Sequence, residues 1–239
     1  MAIVLGLGME PAAAEDSTAP AAAAQPAAAA VPKENWPLFR GTTLAQGITD
    51  TAFPAQPEVL WKQSFEDEAF EGTAIIQDGT VYVGGLNGPL YAIDLETGKT
   101  RWTYKTEVGI KAAPAYRDGK IYVGDFDGKF HCVDAATGKF IWGAQAEAEI
   151  DSGANFFGDN VVFGAQDATL YCHNATTGKE IWKHTIGDQI RCFHTIVDGR
   201  CFVAGCDGDL HVIDVNNGQS LGKVRIDAPT GCTPAVVGD

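Results

Sequence analysis

Asp94-Leu95-Glu96-Thr97-Gly98-Lys99-Thr100-Arg101-Trp102 decides the fold, because the same stretch returns twice at a fixed interval. Asp134 leads through Thr137-Gly138-Lys139 to Trp142, and Asn174 through Thr177-Gly178-Lys179 to Trp182, so three tryptophans stand 40 residues apart. Self-similarity at such a period marks a repeat architecture. In each copy the Asp or Asn side chain can accept hydrogen bonds from backbone amides just ahead of it, and the glycine supplies a left-handed turn without a Cβ clash. The indole then returns to a strand with a large apolar area to bury.

The phase extends outward from that turn. Asp78-Gly79, Asp118-Gly119 and Asp198-Gly199 recur, with Gly158-Asp159 in the third copy, and a second set runs Asn87-Gly88, Asp127-Gly128, Asp167-Ala168, Asp207-Gly208. Thr80-Val81-Tyr82-Val83-Gly84 and Leu90-Tyr91-Ala92-Ile93 are β-formers on either side of Asn87-Gly88, which reads as a hairpin. An earlier strand is expected at Thr73-Ala74-Ile75-Ile76, Pro114-Ala115-Tyr116, Asn155-Phe156-Phe157 and Thr195-Ile196-Val197; the fourth strand carries the tryptophan. Four short strands per repeat, with no helical run between them, predict a propeller blade rather than an α/β solenoid. Such a blade is too thin to bury a core alone and must stack on its neighbours.

The predicted class is therefore all-β: a β-propeller of about four complete four-stranded blades, over residues 71–110, 111–150, 151–190 and 191–230. Leu60-Trp61-Lys62 reads as the last strand of an earlier blade and Gly231 through Val237 as the first of the next, so the ring is expected to be incomplete and the chain a fragment. The fourth copy departs from the pattern, with Asn217 for the threonine and Gly222 at the tryptophan position, which predicts a weaker contact with its neighbour.

The repeated Asp-x-x-Thr-Gly-Lys-x-x-Trp pattern resembles the tryptophan-docking motif of pyrroloquinoline quinone (PQQ)-type propeller repeats, found in quinoprotein dehydrogenases and in the outer-membrane-assembly lipoprotein. The lead-in Asn35-Trp36-Pro37-Leu38-Phe39-Arg40-Gly41 is similar to the opening that precedes such propellers. The resemblance implies structural docking by Gly98, Trp102, Gly138, Trp142, Gly178 and Trp182. It also implies two functional classes: a non-catalytic scaffold that presents loops to protein or ligand partners without a cofactor, or a piece of a PQQ-dependent dehydrogenase with PQQ and calcium on the axis. A sensor propeller of a larger receptor or kinase is a third. The adjacent cysteines of many quinoprotein dehydrogenases are absent from the sequence, so the scaffold is preferred and no catalytic residue is assigned.

Glu71, Lys111, Asp151, Arg191 and Gly231 share one slot ahead of the first strands, alternating in sign. If those strands line a central channel, the side chains ring its mouth, either as ion pairs or as a site for a polar, anionic ligand. Cys192 and Cys232 occupy equivalent positions near the axis and are the better disulfide candidates, whereas Cys132 and Cys172 read as small buried residues. His131 and His211 share a slot with Tyr91 and Tyr171 and are expected to pack partly, while His194 is expected to line the inner strand. Asp125-Phe126-Asp127-Gly128 reads as turn chemistry, and no metal site is expected.

The 17 basic and 31 acidic residues leave a formal charge of −14, and no basic cluster offers phosphate neutralisation, which excludes nucleic acid as a partner. Residues 1–34 read as a signal-like remnant followed by an Ala/Pro-rich linker: Ala12-Ala13-Ala14 before Glu15 resembles a signal-peptidase site, which points to export. The apolar run ahead of it is too short to span a bilayer. A lead-in at 35–57 then joins the propeller at 58–239.

Overall fold

A computed structural model describes residues 34–237 apart from residue 53; the signal-like stretch and the linker up to residue 33 lie outside it. Sixteen strands form four antiparallel sheets, each ordered as in the sequence. The first holds β1 (Ile75–Gln77), β2 (Thr80–Gly84), β3 (Pro89–Asp94) and β4 (Thr100–Lys105). The second holds β5 (Ala115–Arg117), β6 (Lys120–Gly124), β7 (Lys129–Asp134) and β8 (Phe140–Gln145). The third comprises β9 (Asn155–Phe157), β10 (Asn160–Gly164), β11 (Thr169–Asn174) and β12 (Glu180–Thr185), and the fourth β13 (Thr195–Val197), β14 (Arg200–Ala204), β15 (Asp209–Asp214) and β16 (Ser220–Arg225). All are blades of one design, and among the described residues they do not close a ring.

Register repeats with the sequence. Tyr82 pairs with Ala92 and Ala92 with Trp102; Tyr122, Cys132 and Trp142 line up in the same way, as do Val162, Cys172 and Trp182. A small residue is needed directly opposite the bulky indole, which explains why Cys132 and Cys172 are buried thiols in the slot of Ala92. The third and fourth strands of every blade carry a bulge one residue later, for example between Ala92 and Ile93, where two residues oppose one and the strand bends.

Three hydrophobic clusters lie between consecutive blades. Leu90, Ile110, Ile121 and Val133 pack blades one and two; Tyr122, Phe130, Trp142 and Phe163 pack two and three; Leu170, Trp182, Ile190 and Ile213 pack three and four. Each indole docks onto the next blade, its Nε1 donating to the carbonyl of Ala135 (Trp102, 3.0 Å), Ala175 (Trp142, 3.0 Å) or Val215 (Trp182, 2.9 Å). A Cβ added at Gly138, Gly178 or Gly218 would lie 2.6–2.7 Å from the docked ring, so glycine is required there for contact as well as for its positive φ.

Residues 60–62 and 231–237 are not strands, contrary to expectation, yet both pack against the described blades or the lead-in. Trp61 docks beside Gly98, with its Nε1 donating to the Leu95 carbonyl at 2.8 Å. Val236 donates to the Leu44 carbonyl at 3.3 Å. The lead-in crosses the inner edges of all four sheets: Trp36 bridges Ile76, Tyr116 N donates to Pro37 O, Asn155 Nδ2 to Thr43 O, and Ile196 N to Thr43 O. Inner-strand edges would otherwise carry unpaired backbone groups.

Candidate functional site

Glu71, Lys111, Asp151 and Arg191 come together, because each stands four residues before its blade's inner strand and the connectors repeat. With Gly231 they line a cavity of about 270 Å³, together with the lead-in Phe39 and Phe193, whose ring centroids are 5.5 Å apart. Lys111 Nζ lies 3.6 Å from Glu71 Oε2 and 4.0 Å from Asp151 Oδ2. Gln166 Nε2 donates to Asp151 Oδ2 at 2.9 Å, and Arg191 Nη2 donates to Gln166 Oε1 at 3.1 Å. The result is one polar chain along the mouth: Glu71, Lys111, Asp151, Gln166, Arg191.

Gln166 escaped the sequence reading. Its signal was available, since it is a lone amide in the hairpin slot held elsewhere by Leu86, Phe126 and Cys206. Asp151 is the least ordinary member: its side chain is 8% exposed and its Oδ1 has no hydrogen-bond partner. Beside it, burial and then contact with the Asp151 carboxyl raise the Glu149 pKa above the usual carboxylate range.

Cys192 and Cys232 are both free thiols, so the expected disulfide is not formed. Cys192 is buried, donates to the Ala204 carbonyl at 2.9 Å and is pushed up to about 11 by burial, which makes it a poor nucleophile. Cys232 is exposed. His194 does not line the channel in a polar setting. It is fully buried with both ring nitrogens unpartnered, and burial depresses its pKa to about 3.

A second polar pattern lies in the hairpins. In every blade a carboxylate takes a hydrogen bond from the same strand position: Glu68 from Tyr91 (3.3 Å), Asp125 from His131 (2.8 Å), Asp167 from Tyr171 (2.6 Å) and Asp207 from His211 (2.8 Å). His131 and His211 are thus buried and bonded rather than partly packed. Asp207, Asp209 and His211 are close enough together for a metal, but their atoms are already engaged, Asp209 with Lys223 (2.6 Å) and Arg225 (3.3 Å). These contacts hold Asp209 below the usual carboxylate range.

A family model described as outer membrane protein assembly factor BamB matches residues 51–149 and again 127–225. The chain belongs to this family. Among curated proteins it is similar to the quinoprotein alcohol dehydrogenase PedE of Pseudomonas putida, 41% identical over 68 residues, which are 27% of this chain and 10% of that protein. The quinoprotein ethanol dehydrogenase of Pseudomonas aeruginosa is 40% identical over 68 residues, 27% of this chain and 11% of that one. Among solved structures, BamB from Moraxella catarrhalis has a TM-score of 0.58 at 21% identity, covering 65% of this chain and 51% of BamB. The quinohemoprotein alcohol dehydrogenase ADHIIG of Pseudomonas putida HK5 has a TM-score of 0.67 at 17% identity, covering 82% of this chain and 40% of that one. The structural likeness establishes the PQQ-type propeller fold. The match spans about a tenth of the curated relatives' length and about half or less of the solved ones.

The dehydrogenase names raise the question of a quinone on the axis. PQQ is a planar tricarboxylate. Here the mouth sets Glu71 and Asp151 against two cations, Lys111 beside both carboxylates and Arg191 tied to Gln166. The unpartnered Oδ1 of Asp151 is an acceptor, and a carboxylate cannot satisfy it. Lys111 and Arg191 are the donors this mouth would offer such a group, and both already hold neighbours, while Asp151 Oδ1 would serve the accompanying calcium.

Proposed function

We propose that this chain is an exported, non-catalytic propeller scaffold that presents its loops and axial mouth to binding partners. The observation that carries this reading is the polar chain at the mouth, whose cations are engaged by neighbouring carboxylate and amide groups instead of being held free for a cofactor. Membership in the assembly-factor family supports it, and so do the signal-like features of the N-terminal sequence. Function resides in sites and not in folds, so the propeller itself favours neither a scaffold nor an enzyme.

The second reading, a segment of a PQQ-dependent dehydrogenase, is favoured by the 40–41% identity to quinoprotein dehydrogenases over 68 residues. Titrating the purified chain with PQQ and calcium, while following quinone absorbance and dye-linked alcohol oxidation, separates the two. The scaffold reading expects an unshifted quinone spectrum and no oxidation above the protein-free control. A saturable spectral shift with turnover would establish the dehydrogenase reading instead.

A further inference from the structure

The two rims of the blades are charged very differently. One rim carries the turns between second and third strands and the connectors from each fourth strand to the next blade. Bonds between these loops, such as Phe126 N to Gly109 O (3.0 Å), Gln166 N to Glu149 O (2.9 Å) and Cys206 N to Gln189 O (3.0 Å), bind them into one surface. Counted from strand end to strand start and including residues 63–74 and 225–237, it holds 15 acidic and 5 basic residues. The opposite rim, counted in the same way, holds 9 and 6. Most of the chain's −14 therefore resides on one side.

The axial cavity opens on the acidic rim, and Asp151 stands in its wall. A buried carboxylate oxygen without a donor is costly, and a ligand N–H relieves that cost. Within the cavity lining Lys111 and Arg191 balance Glu71 and Asp151, so the net negative potential that an incoming group meets comes from the surrounding acidic rim. The Phe39 and Phe193 rings in its lining offer faces on which an aliphatic stem or a guanidinium can lie.

We propose that the acidic rim docks a basic segment of another protein, with a lysine or arginine side chain entering the axial cavity to bond Asp151. This rests on the scaffold reading. It reverses the sign of ligand that Lys111 and Arg191 alone would suggest.

Fluorescence anisotropy with a fluorescein-labelled ten-lysine peptide, against a ten-glutamate control, tests it on the full chain. The lysine peptide is expected to bind, with affinity falling about tenfold or more between 50 mM and 0.5 M salt. Asp151→Asn should weaken binding about tenfold, the scale of one hydrogen bond to a charged group. Lys111→Gln should tighten it, and Asp159→Asn on the opposite rim should leave it unchanged. Glu71→Gln, at an exposed side chain, carries the test if Asp151→Asn fails to fold, with about a threefold loss expected. Several results would overturn the proposal: no binding, preference for the glutamate peptide, weaker binding by Lys111→Gln, or equal losses for Asp151→Asn and Asp159→Asn. Competition by free spermidine as strong as by the peptide would overturn its assignment to a polypeptide. The quinone titration decides the scaffold reading independently, so failure here leaves that reading standing.

Discussion

The first three blades and the fourth share strand order, register and even the late bulge, between Val212 and Ile213 in the fourth, yet they end differently. Trp142 and Trp182 are 8% exposed against the next blade's turn, whereas β16 is exposed at every residue and Gly222 stands in open space where the indole would be. A second pair of positions has changed along with it. A Cβ on Gly84, Gly124 or Gly164 would lie 2.2–2.4 Å from the Ile110, Ile150 or Ile190 methyl, but the fourth blade has Ala204 and, in the isoleucine slot, Thr230. Strand pairing within a blade therefore does not need the tryptophan; attachment between blades does. The repeat is written in contacts between neighbours, as expected for units that cannot bury their apolar faces alone.

The blades depend on one another most at the docked rings. Trp142→Ala should destabilise the chain by about 3–5 kcal/mol in denaturant titration, because a buried indole and its bond to Ala175 are lost together. The next largest effect is expected from acid. His194 replaces the alanine found at Ala154, and its folded pKa is depressed to about 3 against an unfolded value of about 6.5. Stability from the neutral ring is complete above pH 6.5 and is lost as pH falls toward 3, at about 1.4 kcal/mol per unit. Relative to His194→Ala, the wild type should lose about 2–3 kcal/mol between pH 6.5 and 4.5. Gly178→Ala should cost about 1–3 kcal/mol, since its φ of 72° and the Trp142 ring both oppose a Cβ. Gly222→Trp should cost about 1 kcal/mol, because its φ of 150° is one that residues with a side chain rarely adopt and, among the described residues, no following turn receives the ring.

The architecture was legible because period, turn glycine and tryptophan each carry an unambiguous physical demand. The charged slot was legible by phase alone, which placed Glu71, Lys111, Asp151 and Arg191 at one mouth. Phase did not reveal Gln166 as the link, because a pair across blades depends on how far a side chain reaches, and only the packed structure fixes that. His194 was misplaced for a related reason: it precedes β13, whose three residues are too few for alternation to fix which side faces the core. Of the four carboxylates beside Tyr91, His131, Tyr171 and His211, Asp167 and Asp207 stand in phase, whereas Glu68 and Asp125 come from other offsets, so phase alone assembles only two of them. The docking of Trp61, beyond its place in a last strand, was within reach of the same phase, since it stands 41 residues before Trp102.

The claim that each indole and the next blade's glycine form one contact is tested most directly by a double-mutant cycle on Trp142 and Gly178. If the account is right, Gly178→Ala costs less in the Trp142→Ala background, falling to about 1 kcal/mol of backbone strain, and the pair couples by more than about 0.5 kcal/mol. Trp142 with Gly218, which does not touch it, should be additive. Additive costs for Trp142 and Gly178 as well would contradict the account.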